Sequence, residues 1–338
     1  VANGPSTVGT IAFTDSDPND FSHPANVLTG TFTDLKQPNG GSNYFAWLCD
    51  SGTSKCTLLG AVSRQSDGKA SLTDKATANL LGGPDLKQLQ SILTFEITAE
   101  QTEATSPPSG PSKQIVYSGH IPANVLLHIR HQLTAFPKQG IFANNTTSLD
   151  TGLGQDALLL QQLSQQMQRQ QSANNLAGMK TTAEMIFNLI AGKEGAKDLN
   201  GDSTINTAQG DDGFGMGTNA SISATDCSGG PNSTYLPLTL QHACLAAKAS
   251  GSATFSQLLT QMLQAGKDMS TLLTSIQSTA QQIAAAQSAS DAFANVNQLL
   301  QQADSVLNGT TSDTGNQAGA RQILTFSEQM ASITVSQA

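Results

Sequence analysis

The sequence predicts an α+β protein in two parts, an antiparallel β-sandwich over residues 1–119 followed by an α-helical bundle over residues 120–338. Short β-branched and apolar runs separated by turn residues fill the first part. Near Pro122 the apolar period changes from that of a strand to that of a helix. Beyond it, a strict heptad alternation runs from Phe255 to Ile283.

Six strands are expected in the first part, at residues 7–13, 26–32, 43–49, 56–62, 91–98 and 113–119. Asn39-Gly40, the Asp50–Gly52 stretch and Asp67-Gly68 supply the turns between them. Strands at this spacing suggest a sandwich. The proline-rich stretch "ATSPPSGPS" (104–112) cannot continue a central strand, because proline removes ladder donors, and so reads as a loop.

Pro122 sits where a first-turn proline is tolerated, and Leu126, Ile129, Leu133 and Phe136 follow on one helical face. Further helices are expected at about 155–173, 179–192 and 236–249. Phe255, Leu259, Met262, Gly266, Met269, Leu273, Ile276, Ala280 and Ile283 mark the longest one. Another follows from Phe293 to Leu307, and a last one spans about 316–332. Heptad helices with short connections make a bundle, and core packing accounts for their Leu and Met residues.

Only 12% of the 338 residues are charged, about half the usual ~25% of soluble proteins. The surface is therefore polar and weakly self-repelling, which permits homo-oligomers or filaments. Net charge is −9 with 16 scattered Lys and Arg, so no basic stripe offers itself to nucleic acid or to an anionic membrane. No apolar run approaches the ~20 residues of a membrane span. A first residue that is valine and four cysteines in two local pairs, Cys49/Cys56 and Cys227/Cys244, suggest a processed chain with two disulfides in an oxidising compartment, secreted or at the cell surface. The first pair would staple the hairpin of the third and fourth strands.

The acidic loop at 198–213 carries the strongest site signal. Asp198, Asn200 and Asp202 match positions 1, 3 and 5 of an oxygen-rich calcium loop, Thr204 offers a carbonyl at 7, and Ile205 is the apolar residue at 8. Ser203 replaces the usual Gly at 6, and Gln209 stands where a bidentate Glu is expected at 12, so ligation would draw on Asp211 or Asp212. The alternative is a solvated Asn/Gly/Asp loop. A bound calcium would hold shape, since no base or positioned water group stands nearby.

His128 and His131, three apart on one helix, form a weaker candidate for a transition metal or haem. Ordinary hydrogen-bonded histidines are the simpler reading. Glu184 in "TTAEMIFNLI" reads as a half-exposed helix residue. No Gly-x-Ser-x-Gly elbow and no phosphate loop occurs, so the sequence gives no support to an enzyme. Glycosylation sequons stand at Asn144, Asn145, Asn219, Asn232 and Asn308.

The stretch "NYFAWLCDSGTSKCTLLGAVS", followed by "LQSILTFEITAEQTEATSPPSGPSKQIVYSGHIP", resembles the extracytoplasmic β-sandwich of anti-sigma-K-type proteins over about residues 25–122. It shares their aromatic-x-x-Trp-Leu strand and their closing strand-loop-strand pattern. The helical part, with "AEMIFNLIAG" leading into the Asp-x-Asn-x-Asp loop, is similar to that of secreted bacterial proteins that couple such a sandwich to helices. The resemblance implies a fold more than an activity, since most of the positions that carry it are strand core and turn residues, and the sequence shows neither the sigma-binding segment nor the membrane helix that a signalling role would call for.

The expected function is that of an extracellular structural protein, a surface-layer or filament subunit with a structural calcium, whose leading strand "TVGTIAF" pairs with a neighbour's sheet edge. A soluble sensor or binding module related to anti-sigma factors is the alternative, and a helical-bundle metal or haem protein the third.

Overall fold

A computed structural model describes residues 6–17, 19–51, 55–76, 80–82, 91–101, 108–137, 147–230, 233–312 and 315–338. The sequons at Asn144, Asn145 and Asn232 and the first part of the proline-rich loop lie outside them. The chain divides into two compact units, a sheet unit of residues 1–18, 22–135 and 327–338 and a helical unit of residues 19–21 and 136–326.

The sheet unit contains β1 (Thr7–Thr14), β2 (Val27–Phe32), β3 (Ser42–Asp50), β4 (Lys55–Ala61), β5 (Ala70–Lys75), β6 (Leu93–Gln101), β7 (Ile115–Ile121) and the helix α1 (Ala123–Leu133). The helical unit holds α2 (Leu149–Ser172), α3 (Leu176–Ala191), α4 (Tyr235–Ser250), α5 (Ala253–Ala285), α6 (Phe293–Asn308) and a short hairpin of β8 (Thr310–Ser312) and β9 (Gly315–Gln317). The helix α7 (Ala320–Met330) contains the division between units, and β10 (Ile333–Gln337) belongs to the sheet.

The strands and helices expected from sequence form in the expected order, with α1 ending at Leu133 before Phe136 and α7 starting at Ala320 after β9, but the β architecture differs from a two-sheet sandwich. One antiparallel sheet runs β4-β3-β6-β7-β10-β1-β2-β5, and its end strands β4 and β5 come close, so the sheet rolls nearly shut. The reason is β10. Its hydrogen bonds join β7 on one side to β1 on the other, which removes the break that would separate two sheets. The rolled sheet is filled by alternating side chains, among them Ile11, Phe13, Leu28, Phe32, Phe95 and Tyr117, with Phe32 stacked on Phe95 at 5.9 Å between ring centres. Buried Trp47 donates its indole N–H to Thr98 Oγ1 at 2.9 Å.

This order also corrects the reading of the leading strand. β1 pairs with β10 and with β2, so it has no free edge to offer a neighbour. The sheet unit includes α1 and residues 327–338, which carry β10.

In α1, Arg130 is 1% exposed. Its guanidinium donates to Leu81 O, to Ser91 Oγ at 2.6 Å and to Asp50 Oδ2 at 2.8 Å. Burial lowers its pKa and the Asp50 carboxylate opposes that. Gly82, at φ +116°, leaves the room the guanidinium needs, since a Cβ there would lie 2.9 Å from its Nη2.

Within the helical unit α5 contacts α3, α4 and α6, and α2 contacts α3, α4 and α6. The heptad residues of α5 from Leu259 to Ile283 are buried as their spacing requires. Both disulfides form. Cys49–Cys56 joins directly paired positions of β3 and β4, and Cys227–Cys244 ties the loop before α4 to that helix. Among the described residues, no helix is long and apolar enough to cross a membrane.

Candidate functional site

The acidic segment leaves α3 at Gly192, whose φ of +69° turns the chain out of the helix. It returns at Phe214–Gly215, packed so closely on Gly192 that a Cβ on Gly215 would lie 2.5 Å from the Gly192 nitrogen. Lys193 N donates to Gly213 O, and Tyr235 N, at the start of α4, to Gly215 O. The ends of the loop are thereby pinned to each other and to two helices.

Its centre is organised by α3. Glu184 is 0% exposed, not half-exposed as its helical position suggested. Its Oε2 accepts from Leu199 N and Asn200 N, each at 3.1 Å, and its Oε1 accepts from Asn206 N at 2.6 Å and Asn206 Nδ2 at 3.1 Å. One turn along α3, Asn188 Oδ1 accepts from Lys197 N, while its Nδ2 donates to Lys197 O and Asn206 O. The carboxylate is stabilised in the interior by N–H groups aimed at it. Glu184 and Asn188, four apart on one face, were legible only as a pair of polar residues in an apolar helix.

Around this anchor, Asp198, Asn200 and Asp202 share one exposed turn. Asp198 accepts from Gly201 N and Ser203 N, Asn200 from Asp202 N, and Asp202 from Thr204 N and from Asn200 Nδ2. The Thr204 carbonyl accepts from Asn206 Nδ2 at 3.4 Å. Ser203 takes the left-handed conformation, φ +68°, that a calcium loop ordinarily assigns to Gly.

Asp211 and Asp212 serve a different group. Asp211 accepts from Gly213 N; Asp212 accepts from Phe214 N and from the Tyr235 hydroxyl. Tyr235 is fully buried, and α2 lies against its ring at Gly152, where a Cβ would fall 2.0 Å from ring atoms. Asp156 of α2 and Asp212 line the same cleft of about 340 Å³ with Tyr235, Gln209 and Gly210. Burial, then the charges of Asp156 and Asp212, push the tyrosine pKa far up, while burial and Asp212 raise Asp211. The hydroxyl therefore stays protonated and acts as a donor.

His128 and His131 both lie on α1, ring centres 6.4 Å apart and edge to face. Burial lowers the pKa of each, and His128 adds to the effect on His131, which is pushed down to about 4. The folded chain thus holds His131 neutral where an unfolded histidine is protonated. Unfolding takes up a proton between about pH 6.5 and 4, so stability is full above that window and falls as pH falls through it. The loss is on the order of 2–3 kcal/mol at most, less with solvent screening. His131→Gln is expected to flatten this part of the curve of unfolding free energy against pH; an unchanged slope would refute the assignment.

Compared with protein-family models, with curated proteins and with solved structures, the chain matches none. The functional reading rests on the residues.

Proposed function

We propose that this chain is an extracellular structural subunit of a surface or filament assembly, with a calcium ion held for shape at the turn of Asp198, Asn200, Asp202 and the Thr204 carbonyl. The observation that carries the structural role is the use made of the buried carboxylate. Both oxygens of Glu184 hold backbone, at residues 199, 200 and 206, and neither is left for proton transfer. Two disulfides suit an oxidising environment, and the 12% charged composition suits close contact between copies.

The oxygen-bearing residues of the turn, with Ser203 in the glycine conformation, support calcium over a smaller ion that demands octahedral geometry. Asp211 and Asp212 stand outside the proposed ligand set, because they bond at the other end of the loop, Asp211 Oδ1 to Gly213 N and Asp212 to Phe214 N and the Tyr235 hydroxyl. Water would complete the shell.

Electron microscopy of concentrated protein tests the assembly, and particles that stay monomeric at every concentration would overturn it. Thermal unfolding tests the ion. Calcium at about 100 times its dissociation constant is expected to add about 2.7 kcal/mol, an effect absent from Asp202→Ala. Identical melting in calcium and in chelator removes the ion from the proposal.

A further inference from the structure

We propose that β10 is exchangeable between copies of this chain, Ile333–Gln337 of one copy filling the place between β7 and β1 of another. This rests on the assembly reading and gives it a linkage.

The place is shaped for this strand. On one side Thr7, Gly9, Thr10 and Ile11 of β1 face Ser336, Val335, Thr334 and Ile333; on the other, Ser118 and Tyr117 of β7 face Ser336 and Gln337. Ile333 and Val335 point into the rolled sheet at 1% and 0% exposure. Gly119 admits the backbone, since a Cβ there would lie 2.2 Å from the Thr334 carbonyl oxygen and 2.6 Å from Ile333 Cγ2. Both walls come from residues 7–14 and 115–121, so the ladder and the apolar contacts are the same whichever copy supplies residues 333–337.

The connection favours exchange. β10 is the one strand of this sheet that reaches it from beyond the helical unit, and only Ala331 and Ser332 join it to α7. Ala331 N still bonds back to Ser327 O and Glu328 O, and Ser332 N to Gln329 O, so the chain turns sharply at the helix end. A short, sharply turned hinge is the setting in which an element passes to a neighbour at low cost. "ITVSQ" carries no charge that would repel a second copy.

Cross-linking decides the question. Thr10 and Thr334 are paired and exposed, so Thr10→Cys and Thr334→Cys placed together in one chain should close an intrachain bond, which checks register and folding. The two single variants, differently tagged, are then unfolded and refolded together without disturbing the native disulfides, concentrated and oxidised. Exchange yields a covalent dimer carrying both tags in the co-refolded sample and not when the two variants are refolded apart, then mixed and oxidised, which controls for surface collision of the exposed thiols. If the double variant closes its bond while the mixed singles give no such dimer, exchange is overturned. Ser118→Cys with Ser336→Cys repeats the measurement from the β7 side. Filaments without cross-linked dimers refute exchange and leave the assembly standing; cross-linked dimers without filaments uphold exchange and refute the assembly.

Discussion

Asp50→Ala is expected to destabilise the sheet unit by about 3–5 kcal/mol, the cost of leaving a buried charge without its partner. Arg130 is 1% exposed and Asp50 14%, and Leu81 O and Ser91 Oγ, which also accept from the guanidinium, are neutral. Those neutral acceptors satisfy geometry and not charge. Removing both charges is a different experiment. Asp50→Leu with Arg130→Met should recover most of the loss, because a buried pair returns little beyond its own desolvation. Denaturant unfolding of the three proteins measures this; a loss below about 1 kcal/mol for Asp50→Ala would show that water reaches the guanidinium.

Glu184→Ala should cost about 3 kcal/mol and act locally. Four donors face the carboxylate. Each charge-assisted bond contributes about 1.5–3 kcal/mol, and water entering at the exposed turn replaces part of it. Hydrogen exchange is the discriminating measurement. The amides of Leu199, Asn200 and Asn206 should lose protection while those of α5 keep it, since the core helix does not depend on the loop. Glu184→Gln retains the shape but presents an N–H₂ to backbone N–H groups, so an intermediate loss is expected. Unchanged protection at residues 199, 200 and 206 would remove Glu184 from its anchoring role.

Sequence and structure agree most closely where one period dominates. The heptad of α5 and the β-branched runs of β1, β3, β6 and β7 leave little choice of element, and the two cysteine pairs lie close enough in sequence for their partners to be read directly. β5, "ASLTDK", was missed because only Ala70 and Leu72 of it are buried, too short an alternation to register. β10 was missed for a different reason. Five residues after a helix carry no mark that they belong to a sheet begun some three hundred positions earlier; only the slot beside Gly119 says so. At the site, the spacing of Asp198, Asn200 and Asp202 was visible, whereas the group that organises them was not. Glu184 and Asn188 precede the loop on α3, and sequence does not reveal which way a polar residue in an apolar helix faces.

The position of β10 also sets an order of events during synthesis. At about 5–20 residues per second, β7 leaves the ribosome on the order of 10–40 s before β10. Through that interval β1 and β7 lack their shared neighbour, while residues 136–326 of the helical unit are being made. Closure of the sheet between β7 and β1 therefore waits for synthesis of the helical unit, and until then the two strand edges that β10 joins stay unpaired.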